Sequence, residues 1–407
     1  MITPQRPLKK TEFVALMAMS TATIAFSIDA MLPALPQIGQ ALTPDDLNRA
    51  QLILTSFVLG MGLGTFFTGP LSDTFGRRRV LLGGFVLYII ASILAMMAGS
   101  LEMVLAARVL QGIGAAGPRV VALAIIRDQF SGRQMAQLMS FVMMVFTLVP
   151  AFAPSIGALI IALVGWRGMF GAFVVFALIN SAWFAIRQPE TLTPESRRAF
   201  RANVLWAGVV EVLSSNVMRV TILVQTLILG SLFAMLSTVQ QIFDTTFDQG
   251  ANFPLWFGGL ALISGTASLV NASLVVRVGM RMLIRITLFV QIIVSGTFAV
   301  LLVTNALPEW GNFVVFLLWM TSVFYMAGMT LGNLSAIALE PMGHIAGMAA
   351  SISSALSTVL AVAIAAPIGL TFDGTPLPMI FGVFCCAVLA MGLMQFIRHE
   401  PSSSINI

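Results

Sequence analysis

Charge is scarce in this sequence. Asp, Glu, Lys and Arg together make up 9% of 407 residues, hydrophobic residues make up 58%, and the mean hydropathy is +0.97. A soluble domain carries about 25% charged and 45–50% apolar residues, so a globule surrounded by water is excluded and the chain belongs in a lipid bilayer. Cysteine is nearly as rare: Cys385 and Cys386 are the only two, adjacent in a late apolar run, which excludes a disulfide framework and leaves them as packing residues. The only histidines, His344 and His399, form no metal constellation, so neither a metal nor another cofactor is expected. No phosphate-binding G-x-x-x-x-G-K-[ST] loop occurs, which argues against ATP as the energy source. No cluster of His, Cys or carboxylates recurs near one membrane depth, which argues against an enzyme.

What fills the sequence instead is a series of apolar runs, each about the 20 residues a membrane span needs. Six precede a polar stretch: Thr11 to Leu35, Leu52 to Leu71, Val80 to Ala98, Glu102 to Ile126, Met135 to Val164 and Met169 to Ile186. Six follow it: Val220 to Phe243, Leu255 to Val276, Met282 to Thr304, Phe313 to Leu339, Ile345 to Leu370 and Met379 to Ile397. The run from Thr11 to Met31 exceeds the roughly 7–15-residue core of a signal peptide and has no evident cleavage site, so it is read as the first span. These runs predict an all-α membrane protein of twelve spans, with residues 1–187 and 220–407 as two six-helix units and 188–219 as the linker. Thr193 and Pro194, followed by Phe200, Val204 and Leu205, predict a short amphipathic surface helix within that linker.

Basic residues collect on one side of this layout. With the amino terminus inside, that side holds Arg6, Lys9, Lys10, Arg77, Arg78, Arg79, Arg127, Arg133, Arg187, Arg197, Arg198, Arg201, Arg219, Arg277, Arg281, Arg285 and Arg398, while Arg49 and Arg167 fall outside. The positive-inside rule then places both termini in the cytoplasm. It also accounts for the net charge of +5 without a nucleic acid or other acidic partner. The two halves carry a faint repeat: AFAPSIGAL around Pro154 is echoed by AIAAPIGL around Pro367, and GRRRV at Gly76 by GMRML at Gly279. Such a duplication is a common way of building transporters.

The fourth span carries two arginines, Arg108 and Arg119, in a run that is otherwise apolar. Each costs about 3 kcal/mol at mid-bilayer, so they must face something polar. Eleven residues at about 100° each return to within roughly 20° of the starting direction, so both guanidiniums lie on one helix face, the wall of a polar cavity. Asp29 is the one acidic residue well inside a span. At 1.5 Å per residue it lies about 9 Å from the outer end, the same depth as Arg108, so the two can pair. A carboxyl moving between wet and dry surroundings can take up and release a proton, which makes Asp29 and Arg108 candidates for proton coupling. The alternative is that Asp29 only caps a bend near Pro33 and Pro36. Arg119 either shapes an anionic or strongly polar subsite or snorkels to carbonyls and water. Gln225, Asn271, Tyr325 and Asn333 are further candidate cavity contacts, although isolated polar residues in spans often bond neighbouring helices. The 25 methionines and 30 phenylalanines permit an adaptable pocket without requiring one. Gly112, Gly114 and Gly117 spell a dinucleotide-binding fingerprint, but no strand precedes them, so helix packing is the reading adopted.

The segment GPLSDTFGRRRV, Gly69 to Val80, combines glycines for a sharp turn, an acceptor in Asp73, and arginines for anionic headgroups. It resembles the signature loop of the major facilitator superfamily. RVLQGIGAA from Arg108 resembles the fourth-span motif of that family's proton antiporters, and DAMLPALPQI from Asp29 is similar to the matching segment of its bicyclomycin and chloramphenicol exporters. IIRDQF, APSIG and LEPMGHIAGMAAS fit the same branch, so the resemblance covers essentially the whole chain. It implies a two-bundle, twelve-helix fold in a bacterial inner membrane, working as a monomer that exchanges protons for small amphipathic compounds through alternating access. It further implies a latch between the halves from Gly69, Asp73, Gly76, Arg77, Arg78 and Asp128, with Asp73 near the start of the eleventh span. Arg108 would be the motif arginine coupling protonation to substrate binding. Pro150, Ala153, Pro154 and Gly157 would be the fifth-span antiporter motif, although Ala153 and Ala158 stand where glycine is usual. Uptake of a metabolite with protons and a membrane receptor that transports nothing are the competing readings.

Overall fold

The computed structural model describes residues 8–197 and 201–397; Arg6, Arg198, Phe200, Arg398 and His399 lie outside them. The described residues form helices joined by short turns, with no strand among them. Helices suit the solvent: in hydrocarbon every backbone polar group must find its partner within the protein, and a helix supplies those partners within its own segment. Ten helical stretches are long and apolar enough to cross a bilayer, and two of these, of 56 and 62 residues, are pairs of spans joined end to end.

The spans are numbered α1 to α12. In the first half they are α1 (Lys10–Asp29), α2 (Leu52–Phe75), α3 (Arg77–Met96) and α4 (Leu101–Gln129), followed by α5 (132–164) and α6 (166–187). Gly165, at φ 72° and ψ 177°, breaks the long helix Gly132–Arg187 into the last two. The second half holds α7 (Asn216–Gln241), α8 (Phe253–Gly265 and Ala267–Val278), α9 (Met280–Val303), α10 (Glu309–Leu339), α11 (Ala346–Leu370) and α12 (Leu377–Leu393).

Three details depart from the sequence reading. The first span does not run through to Leu35: its α-helix ends at Asp29, a 3₁₀ turn takes Leu32–Ala34, and a short helix Leu35–Leu42 follows. Pro33 and Pro36 lack the amide hydrogens a continuous helix needs there. The eighth span bends at Thr266. The linker helix begins later than Pro194, which forms only a 3₁₀ turn; the helix itself is Ala202–Ser214, with Val212 packed against Ala338, Met342, Ala349 and Ile352 while Trp206 and Val210 stay exposed.

Small residues let the helices approach. A Cβ on Gly60 of α2 would sit 1.9 Å from the carbonyl oxygen of Val109, and one on Gly112 of α4 would sit 2.1 Å from that of Phe57. The α2–α4 seam therefore depends on backbone against backbone, as membrane helix pairs with small residues do. The internal repeat has a geometric counterpart: Gly76, before α3, and Gly279, before α9, both cap their helices at positive φ, 100° and 83°, with ψ 148° and 150°. Across the two halves α2 packs on α11, and α5 on α8. Hydrogen bonds tie the halves at the end remote from the arginine-rich loops, among them a fork from Asn48 whose second arm reaches the Leu370 carbonyl (3.3 Å). Asn48 Nδ2 donates to the Phe372 carbonyl (2.8 Å), Gln51 Nε2 to Gln241 Oε1 (2.8 Å), Gln241 Nε2 to Asn48 Oδ1 (2.9 Å) and Thr238 Oγ1 to Gln51 Oε1 (3.1 Å). At the arginine-rich end a hollow of about 550 Å³ separates the end of α2 from the Gly343 to Ile352 stretch that starts α11.

Candidate functional site

Between the tied end and that hollow lies a cavity of about 350 Å³, within the usual range for small-molecule sites. Ile24 and Ile28 of α1, Met61 of α2 and Phe146 of α5 form much of its wall in the first half; Leu229, Leu232 and Phe233 of α7 face them from the second. Arg119 brings a half-buried guanidinium to this cavity from α4, where its one hydrogen bond among the described residues goes to the Met61 sulfur (3.9 Å) and its carbon centre stands 5.9 Å from the Phe146 ring. Gln225 also lines the cavity. It donates to Ser335 Oγ (3.2 Å) and its carbonyl oxygen accepts from Ser357 (3.1 Å) and Ser353 (3.4 Å).

Of the residues the sequence nominated for the cavity, only Arg119 and Gln225 are there. Asn333 donates to Asn271 Oδ1 at 2.7 Å, clasping α10 to α8, and the Tyr325 hydroxyl pairs with that of Thr266 at the bend of α8. These three side chains find polar partners on a neighbouring helix, which relieves them of any need for a wet cavity. Ser335, Ser353, Ser354 and Thr358, which sequence reasoning passed over, line the cavity in their place. A serine in a span carries no signal, because its hydroxyl can always return to the carbonyl four residues back.

Asp29 and Arg108 are the only fully buried charged side chains among the described residues, at 5% and 0% exposure. They share a depth as expected, but they do not form an ion pair here. Arg108 gives Nε–H to the Ile53 carbonyl (3.2 Å), Nη1–H to Gln111 Oε1 (2.6 Å) and Nη2–H to the Ser27 carbonyl (3.2 Å), and it stacks 4.3 Å above the Phe57 ring. Gln111 in turn donates to Ser92 Oγ (2.7 Å), and Ser27 and Tyr88 pair their hydroxyls at 2.6 Å. Carbonyls and an amide therefore do the work that a carboxylate was expected to do, and Arg108 fastens α1 and α2 to α4 two residues before α1 ends. Neither residue is part of the cavity wall, so the pair of arginines on one helix face divides into one that is enclosed and one that meets open space.

Asp29 is the last residue of α1, and its carboxyl makes no hydrogen bond among the described residues. Beside it the fifth-span motif closes in. A Cβ on Gly157 would stand 2.1 Å from the Ala30 carbonyl oxygen, so α5 touches the backbone at the break of α1. Ala153 and Pro154 are buried in the same helix and Pro150 is half-buried. Ala151, in that stretch, also takes part in the contact between halves, with its carbonyl 2.6 Å from where a Cβ of Gly258 would be.

The loop between α2 and α3 holds the remaining nominated residues. Arg77 pairs with Asp73 (2.5 Å) and Asp128 (3.0 Å), and Asp128 also accepts from Thr191 Oγ1 (3.1 Å). Glu190, missed in the sequence, caps α3: its carboxylate accepts the backbone amides of Arg77 (2.8 Å) and Arg78 (3.1 Å). Arg78 sends its guanidinium to the Ala185 carbonyl (2.6 Å) instead of to a carboxylate. This network lies within the first half and its linker. Asp73 faces the start of α11 across the hollow, whereas a Cβ on Gly69 would stand 3.5 Å from Ser351 Oγ of α11, so among the described residues α2 approaches α11 here without the charge network bridging the halves.

Comparison with known proteins agrees with this geometry. The family model described as Major Facilitator Superfamily matches residues 17–367. A bicyclomycin resistance protein homolog of Haemophilus influenzae is 25% identical over 402 residues, covering 97% of this chain and 99% of its own. A chloramphenicol resistance protein of Pseudomonas aeruginosa is 35% identical over 184 residues, 45% of this chain and 42% of its own. Among solved structures, a D-xylose-proton symporter superposes with a TM-score of 0.73 at 18% identity, over 94% of this chain and 97% of that one. An inward-open xylose transporter from E. coli gives the same score at 16% identity, over 97% and 98%.

Proposed function

The chain belongs to the major facilitator superfamily, and from that premise we propose that it is a proton-driven exporter of small amphipathic compounds. As a multi-pass membrane transporter and not an enzyme, it needs a cavity that can face either side and a group that senses which side is open. The observation that carries the reading is the cavity between the halves, tied shut at one end by the Asn48, Gln51, Thr238 and Gln241 bonds and hollow at the arginine-rich end. In the proposed orientation the arginine-rich end and both termini are cytoplasmic in a bacterial inner membrane, so the cavity is poised to load from inside. The moving bodies are residues 1–187 and 220–407, joined by the cytoplasmic linker 188–219, and a monomer suffices because the cavity is built from one chain.

In this mechanism Asp29 is the proton carrier. It sits where α1 breaks and where Gly157 of α5 bears on the backbone, so rocking of the first half changes its surroundings first. Arg108 holds the Ser27 carbonyl and so fixes that break relative to α4, coupling the carboxyl to the wall that carries Arg119. Asp73, Arg77 and Asp128 become a latch only after the hollow closes and Asp73 reaches α11. Resistance to an antibiotic, which two relatives bear in their names, supports export as the direction. One proton exchanged for one neutral molecule moves one charge, so 100 mV of membrane potential supplies about 2.3 kcal/mol.

The test is transport in inverted membrane vesicles. A drug such as chloramphenicol or ethidium is expected to accumulate inside when the vesicles are energised and to leak out on addition of an uncoupler. Accumulation only in right-side-out vesicles would make the protein an uptake carrier, and binding without flux would make it a receptor.

A further inference from the structure

The same helix face carries two arginines eleven residues apart, and the protein treats them oppositely. Arg108 has every part of its guanidinium engaged by carbonyls, an amide and a ring. Arg119, ten residues from the Gln129 end of α4 and so about 15 Å into the span, has a thioether and a distant ring. A thioether is a weak acceptor, and a guanidinium carries five donors. The fold can therefore satisfy an arginine at this face when the role is architectural, and at Arg119 it leaves the donors turned to the cavity. Among the described residues no other charged one lines that cavity. From the second half, Ser354 and Thr358 of α11 line the same cavity with hydroxyls that make no hydrogen bond among the described residues, while the rest of the wall is mainly aliphatic and aromatic.

We propose that Arg119, with the hydroxyls of Ser354 and Thr358 from the second half, forms a subsite for the acidic head of an amphipathic organic anion, a carboxylate or sulfonate on an apolar body. This inference rests on the exporter reading for its direction but on the cavity alone for its chemistry. The charge is supplied by the first half and the hydroxyls by the second, so an anion seated there joins the two bodies that must move. A guanidinium in a cavity with low-dielectric walls and no counter-charge attracts an anion more strongly than it would at a wet surface. Export of a monoanion against one incoming proton would move two charges, so its flux would respond to membrane potential more steeply than that of a neutral drug.

Binding to the purified full-length protein in lipid nanodiscs tests this, with 1-naphthaleneacetate and its neutral amide as probes. The carboxylate is expected to bind at least ten-fold tighter than the amide. Arg119→Gln is expected to erase that difference by weakening the carboxylate alone, and Arg119→Lys to keep part of it. Equal affinities in the unaltered protein, no binding of the carboxylate, or an unchanged preference in Arg119→Gln would each overturn the subsite. If Arg119→Gln does not fold, the two probes on the unaltered protein and on Arg119→Lys still decide. Transport separates this inference from the broader one: drug export with no preference for the carboxylate sinks the subsite and spares the exporter, and an Arg119-dependent preference without proton-driven flux does the reverse.

Discussion

Gly157 and Asn333 show how differently single side chains contribute here. A Cβ at Gly157 would press on the Ala30 carbonyl, a backbone atom that cannot rotate away. Gly157→Ala is therefore expected to destabilise the protein by about 1–3 kcal/mol as overpacking does, seen as a lower thermal midpoint in detergent, and to slow transport because the strain falls at the break beside Asp29. Asn333 clasps Asn271 between α10 and α8, away from the cavity. Asn333→Leu is expected to lose about 0.6–1.7 kcal/mol of stability, the range for hydrogen bonds between membrane helices, and to leave drug affinity unchanged. A large fall in affinity with an unchanged midpoint would return Asn333 to the cavity. The polarity of Asn271, Tyr325 and Asn333 was legible in the sequence; their partners were not, because the choice between cavity and neighbouring helix depends on rotation about an axis that apolar runs on all sides leave undetermined.

At the scale of elements, the α2–α3 turn is the part whose chemistry the sequence displayed most openly. Its glycines, aspartate and arginines stand together within twelve residues, and Gly76 takes the positive φ that its residue type suggested. What stayed hidden was Glu190, 113 residues away from Arg77, which accepts the first amides of α3. A Cβ on Gly76 would meet that carboxylate at 2.4 Å, so the turn and the linker are fitted to each other. Glu190→Ala is expected to cost about 1 kcal/mol, as loss of a helix cap does, and to reduce transport without altering binding, measured as flux and affinity on the same preparation. The break of α1 was announced by Pro33 and Pro36, whereas the bend at Thr266 has no proline to announce it and lay inside an unbroken apolar run.

For the molecule as a whole, the twelve spans could be read directly, since they follow from the cost of exposing polar groups to hydrocarbon. The conformation could not be read, because it depends on which of two sets of contacts between halves is formed. The amide cluster at the far end is such a set. Gln51→Ala removes its bonds to Gln241 and Thr238, worth together about 1 kcal/mol net, or roughly five-fold in the balance between conformations. In a chain with Cys385 and Cys386 replaced by Ala and Ile28 by Cys, that substitution is expected to speed labelling by an impermeant thiol reagent added from the outside several-fold. An unchanged rate would mean that other contacts hold the amide-tied end shut, the outer end in the proposed orientation.

The most direct measurement compares two kinds of flux in Asp29→Asn. Counterflow, the exchange of labelled for unlabelled drug across a vesicle membrane with no gradient of protons, needs only the cavity and the rocking halves. Accumulation driven by a proton gradient needs the carrier as well. Asp29→Asn is expected to keep counterflow near the level of the unaltered protein and to lose driven accumulation. Full driven accumulation in Asp29→Asn would mean that Asp29 is not the proton carrier.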